Sequence, residues 1–136
     1  MVVTVQKEVA QQIVAQPGRM SLLSVSVQLY GRPVIVEYVP SSSFYPQPKV
    51  GSAVVRIDVY ERCALNVDEA AFFRIVRGGF SAPRKQLHNS LAQGLQIPPL
   101  EAAAVLERAG IEQRRRAETL SLGEWESVYR ALAEKQ

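Results

Sequence analysis

Cysteine and histidine are nearly absent from this sequence: Cys63 and His88 stand alone among 136 residues. One thiol excludes an internal disulfide and any cysteine-based zinc site, and one imidazole leaves histidine chemistry without a second member. Long apolar runs are missing too. None reaches the roughly 18 residues of a membrane-spanning helix, and the N-terminus lacks the charged start and small-residue cleavage site of a signal peptide. The reading is therefore a cytoplasmic protein with no membrane partner. Acidic residues are absent between Glu69 and Glu101, a window that holds Arg74, Arg77, Arg84, Lys85 and His88. The overall balance, +3 with a pI near 9.2, is too mild to indicate a nucleic-acid binder, so the distribution says more than the total.

What is present reads as two patterns in succession. Residues 2–5 form an apolar, β-branched run, and residues 7–14 place apolar side chains at helical spacing until Pro17-Gly18 interrupts them. A helix over 21–30, with Leu22, Val25 and Leu29 on one side, ends at Gly31-Arg32-Pro33. Residues 34–39 and 52–60 alternate and read as an antiparallel pair. From Asn66 the period changes to 3.6. Asn66 and Glu69 make a capping-box-like start to a helix whose stripe is Phe72, Phe73, Val76 and Phe80, reaching Gly78-Gly79. Ser81 is expected to cap the next helix, with Pro83 in its first turn and Leu87, Leu91 and Leu95 facing inward. Pro98-Pro99 opens another, with Glu101 early, Arg108 late and Gly110 closing it. Ser121 with Glu124 caps the last, where Leu120 and Trp125 hold staple positions. The expected division is 1–62, an α/β region of three strands and two helices, and 63–136, a small all-α domain of about four helices.

The stretch Phe44-Tyr45-Pro46-Gln47-Pro48-Lys49 joins the paired strands. Its prolines fix their own φ and push Tyr45 and Gln47 toward extended conformations, holding Phe44 on a stiff loop. Enzymes that modify a nucleobase hold it against aromatic or apolar side chains, each stack being worth about 1–3 kcal/mol. The other reading of the same spacing is a turn whose Phe plugs the core.

Four blocks occur in order: Met1-Val2-Val3-Thr4-Val5-Gln6-Lys7-Glu8-Val9-Ala10, the Phe44 loop, Phe80-Ser81-Ala82-Pro83-Arg84-Lys85-Gln86-Leu87-His88-Asn89-Ser90-Leu91, and Ala109-Gly110-Ile111 through Arg116-Ala117-Glu118-Thr119-Leu120-Ser121. In these the chain resembles the C-terminal half of the ribosomal RNA adenine dimethyltransferase family, the small-subunit dimethyladenosine transferases in particular. The resemblance implies the last three strands and two helices of a Rossmann-like class I methyltransferase sheet, followed by a helical domain that docks on the small ribosomal subunit. In the complete enzyme it implies N6,N6-dimethylation of adenines near the 3′ end of small-subunit ribosomal RNA, with S-adenosylmethionine as donor. By residue type Phe44 matches the aromatic that stacks on the target adenine, and Lys49 belongs to its loop. Arg84, Lys85 and Arg116 match family residues implied to touch ribosomal RNA, and Arg74 and Arg77 extend that basic stretch. The family's glycine-rich cofactor turn and its Asn-(Leu/Ile)-Pro-(Tyr/Phe) motif have no counterpart here, so the expectation is a chain inactive alone, with no cofactor of its own and its N-terminal half as a possible partner. Cations in a first helical turn oppose the dipole at a cost of about 0.3–1 kcal/mol, which gives Arg84 and Lys85 a physical reason to meet a phosphate together with free helical N–H groups.

The chain departs from the family pattern at Gln47, where proline is usual, at Gly51, where Asp is usual, and at Pro83, often another basic residue. The first two predict a looser Phe44 loop. Two other functions share the same residues: a non-catalytic RNA-binding module using the basic face, and a protein-interaction domain using an exposed sheet edge.

Overall fold

The computed structural model describes residues 1–135, which fall into two units. The first comprises Met1–Ala15 and Leu23–Ala64, the second Gln16–Leu22 with Leu65–Gln136. The segment Gln16–Leu22, which the sequence-based division assigned to the α/β region, thus groups with the helices.

In the first unit, strand β1 (Val2–Gln6) runs directly into helix α1 (Lys7–Ile13), and helix α2 (Leu22–Tyr30) runs directly into β2 (Gly31–Val39), which returns as β3 (Ser52–Val59). The sheet order is β1-β3-β2 with both pairings antiparallel, so the expected hairpin forms and β3 is central. Pro33 lies in β2, an edge strand, where a missing N–H is tolerated. One face of β3 presents Ala53, Val55 and Ile57 to Ala10 and Ile13 of α1, with Val3, Val5, Val9, Val27 and Ile35 packed around them. This alternation is what the period-2 pattern foretold. Gln28 clips the end of α1 to α2 by donating to Ile13 O at 3.0 Å and Ala15 O at 2.9 Å.

Among the described residues the second unit holds four α-helices: α3 (Glu69–Phe80), α4 (Leu87–Leu95), α5 (Pro99–Ala109) and α6 (Leu122–Lys135). Trp125, Phe72, Leu87, Leu91, Leu106 and Leu120 are its largest fully buried side chains. The Ser121–Glu124 capping box forms as expected: Ser121 N–H donates to Glu124 Oε1 at 3.0 Å and Glu124 N–H to Ser121 Oγ at 3.2 Å. Gly110 closes α5 with φ of 74°. Gln96 ends α4 in the same left-handed region without the glycine that would have signalled it.

Three local expectations are corrected. Asp68 rather than Asn66 precedes α3, and no side-chain cap forms; Asp68 N–H donates instead to Tyr129 Oη at 3.1 Å, while Asn66 O accepts from Arg130. Helix α3 does not stop at Gly78-Gly79 but runs through to Phe80, because both glycines are contact positions. A Cβ on Gly79 would strike the Trp125 ring, and Gly78 lies against Gly94 of α4, backbone to backbone. Helix α4 begins at Leu87, not after Ser81, whose hydroxyl lies 2.6 Å from Gly78 O and 3.2 Å from Ser90 O. Pro83, Arg84 and Lys85 therefore sit in the connection before α4, outside its first turn.

Candidate nucleic-acid interface

In the first unit the β2–β3 connection leaves Val39 through a short 3-10 turn (Ser41–Ser43) and re-enters the sheet at Ser52. Backbone bonds from Ser43 N–H to Pro40 O (3.0 Å) and Phe44 N–H to Ser41 O (3.2 Å) fix its first half. Lys7 N–H donates to Gly51 O at 3.0 Å, tying its second half to the start of α1. Gln47, expected to loosen the loop, donates from Nε2 to Ser41 Oγ at 3.3 Å and so bridges it. The Tyr45-Pro46 bond is cis, which the sequence did not announce. Phe44 is 39 % exposed, Tyr45 fully exposed and Lys49 exposed. Phe44 is therefore outside the apolar cluster of this unit rather than a plug in it. In the same unit the Lys7 ammonium lies 5.6 Å from the centre of the half-exposed Tyr38 ring, a cation–π contact.

In the second unit the basic residues separate into two environments. Arg74, exposed on α3, lines an open hollow of ≈ 490 Å³ whose other lining residues include the carboxylates Asp68 and Glu101 with Ile75, Leu95 and Tyr129. Arg77 occupies the last turn of α3, where a cation complements the helix dipole. Arg84, Lys85 and Arg116 are exposed and come together through the backbone: Leu87 N–H donates to Arg115 O at 2.6 Å and His88 N–H to Gln113 O at 3.3 Å. These bonds lay the 112–116 loop against the start of α4, directly after Arg84 and Lys85. The half-buried His88 ring adds Nδ1 to Gln113 O at 3.1 Å, a structural contact rather than a catalytic one.

The expectation that α4 offers free N–H groups to a phosphate is overturned. Leu87 and His88 N–H are taken by the loop, and Asn89 and Ser90 N–H by Gln86 O at 3.0 and 3.1 Å. The first turn of α4 therefore offers an anion no free N–H, and the nearby side-chain charges are what could attract one. Arg114, exposed in the same loop, was missed; its only signal was its place in the run Arg114-Arg115-Arg116. Arg115 is different. Its guanidinium pairs bidentately with Glu124 and also donates from Nη2 to Thr119 O at 2.7 Å and from Nε to Thr119 Oγ1 at 3.2 Å. That hydrogen bond is the main cause holding the Glu124 carboxyl below the usual carboxylate range and the Arg115 guanidinium above its ordinary value.

S-adenosylmethionine has no fitting site among these residues. Its binding needs a glycine-rich turn at the end of a strand, whereas β1 passes straight into α1 and the positive-φ glycines, Gly18 and Gly110, follow helical segments. No group of three or more metal-ligating side chains occurs among the described residues, and no helix there is long and apolar enough to cross a membrane.

A three-stranded antiparallel sheet backed by helices and followed by a four-helix unit defines an α/β fold shared with nucleic-acid methyltransferases of known structure. The chain is similar to a dimethyladenosine transferase from Plasmodium falciparum (TM-score 0.82, 25% identity, covering 98% of this chain and 57% of that one). In fold it is also similar to the 23S rRNA methyltransferase ErmE (TM-score 0.66, 24% identity, 97% and 54%). The family pattern described as "Ribosomal RNA adenine dimethylase" matches residues 1–134, and the chain belongs to that family. Among its relatives are proteins named ribosomal RNA small subunit methyltransferase A from Dehalococcoides mccartyi (51% identical over 129 residues, 94% of this chain) and Desulfitobacterium hafniense (44% over 134 residues, 97%). The chain spans 44% and 48% of their lengths, a little under half.

Proposed function

We propose that these residues are the RNA-gripping part of a small-subunit ribosomal RNA adenine dimethyltransferase, and that they form the end of its Rossmann-like sheet and its ribosome-docking helices. Family membership across 1–134 supports this. The observation that carries the site reading is the Phe44 ring, left 39 % exposed on a loop that its own backbone bonds hold in place. In this reading Phe44 stacks on the target adenine, and Lys49, Arg84, Lys85 and Arg116 meet RNA phosphates. Arg77 is a lesser contributor, and Arg74, which shares its hollow with Asp68 and Glu101, the least. The complete enzyme dimethylates adenine N6 near the 3′ end of small-subunit ribosomal RNA in the cytoplasm; its donor is held by residues other than these, so the chain alone transfers no methyl group.

The test is discrimination between two short RNAs, one carrying an unpaired adenine and one with an abasic site in its place. Stacking at about 1–3 kcal/mol gives the adenine RNA a tighter Kd by about fivefold to 150-fold, and Phe44→Ala abolishes the difference. Equal discrimination by Phe44→Ala, or methylation of ribosomal RNA by the chain alone, refutes the reading.

A further inference from the structure

The loop that caps α4 carries three consecutive arginines with two different fates. Arg115 faces inward: its fork is filled by Glu124 and Thr119, its N–H donates to Glu112 O at 3.2 Å, and its carbonyl takes Leu87 N–H. Thr119 Oγ1 in turn donates to Arg116 O at 2.7 Å, and Glu124 belongs to the capping box of α6. One residue thus ties the loop to the first turns of both α4 and α6. Its neighbours Arg114 and Arg116 are both exposed, and neither makes a side-chain hydrogen bond or ion pair with the described residues. The only exposed carboxylates in the same stretch are Glu112 and Glu118. Two separated parts of the sequence therefore place Arg84, Lys85, Arg114 and Arg116 around one helix start, and a rigid clamp stands between two of these cations.

We propose that Arg114 is a further RNA-phosphate contact of this surface and that Arg115 is the positioning residue that presents Arg114 and Arg116 without touching RNA itself. This rests on the RNA-gripping reading above. The partner chemistry is a polyanionic strand backbone, because the helix N–H groups that would hold a single phosphate are already occupied and what remains is a set of spaced, exposed cations, of which Lys85 also donates to Gln93 Oε1 at 3.3 Å.

Binding of a single-stranded ribo-oligonucleotide to the full chain is measured as a function of salt. Each phosphate contact adds about 0.7 to the slope of log affinity against log salt, so Arg114→Gln is expected to lower the slope by that amount, as Arg84→Gln does, and to weaken binding about fivefold at moderate salt. The clamp is tested with Glu124→Gln. Bulk electrostatics predicts tighter RNA binding from the loss of a negative charge; positioning predicts weaker binding. Thr119→Val, which leaves every charge in place, is expected to weaken it too, and decides the matter should Glu124→Gln fail to fold by Trp125 fluorescence. An unchanged slope for Arg114→Gln beside a lowered one for Arg84→Gln overturns the assignment, as does a folded Glu124→Gln that binds as well as the parent. If the parent chain binds no RNA, the RNA-gripping reading itself falls, an outcome separate from these.

Discussion

Replacing Gly94 with alanine puts one methyl group where α3 and α4 touch. A Cβ built there would lie 2.6 Å from Gly78 O and 2.8 Å from Gly78 C, and closer still to Gly78 Cα. All three obstructing atoms are backbone, so no side chain can rotate away and the helices must separate. Overpacking of this kind costs about 1–3 kcal/mol, and the upper end applies when backbone must move. Alanine returns about 1 kcal/mol of helix propensity, leaving a net loss of about 2 kcal/mol. For a unit of this size that lowers Tm by about 8–16 °C. The assay is built into the sequence: the single tryptophan, fully buried Trp125, reports on the second unit alone. Gly123→Ala is the control, since the nearest atom to its Cβ is Ser121 Oγ at 3.9 Å and the same propensity gain comes without a clash. A Gly94→Ala protein melting at or above the parent temperature would refute the close-contact argument.

Two further outcomes follow from the site geometry. The folded pKa of Glu124 lies below its unfolded value, mainly through the hydrogen bond from Arg115, so its contribution is complete above the ordinary carboxylate pKa of about 4.3 and disappears as pH falls through the folded value. The Tm difference between parent and Glu124→Gln is therefore expected at neutral pH and should close in strong acid; a difference independent of pH would show that ionisation of Glu124 adds nothing. Phe44→Ala should cost only about 1 kcal/mol in urea unfolding of the first unit followed by tyrosine fluorescence, because the ring is already partly in water. A loss above about 3 kcal/mol, the range of a deleted core phenylalanine, would mark it as a core plug instead.

Where local chemistry decides structure, the sequence was legible. Alternation in 52–60 met its partner strand, and Ser121 with Glu124 closed the box that their spacing announces. Leu87, Leu91 and Leu95 faced inward as their period required. The failures share one cause, a distant partner overriding a local signal. Ser81 followed by Pro83 looks like a cap, but its hydroxyl turns back to Gly78, and the start of α4 is completed by carbonyls of Gln113 and Arg115. Asn66 with Glu69 has capping-box spacing, yet Tyr129 supplies the bond at the start of α3. Gly78 and Gly79 look like a helix stop until Gly94 and Trp125 are seen to need their missing side chains. The site follows the same division. Phe44 and the exposed cations are visible as residue types, whereas the division of labour between Arg114 and Arg115 depends on Glu124 and Thr119, which no spacing rule links to them.

Because the first two N–H groups of α4 are satisfied by a loop more than 20 residues downstream, that end of the helix is completed by a distant segment rather than by a cap of its own. The loop that completes it is held in turn by the first turn of α6 through Glu124. A partly folded chain with its C-terminal helix undocked would lose the start of α4 as well, so the ends of these two helices should gain and lose hydrogen-exchange protection as one cooperative unit.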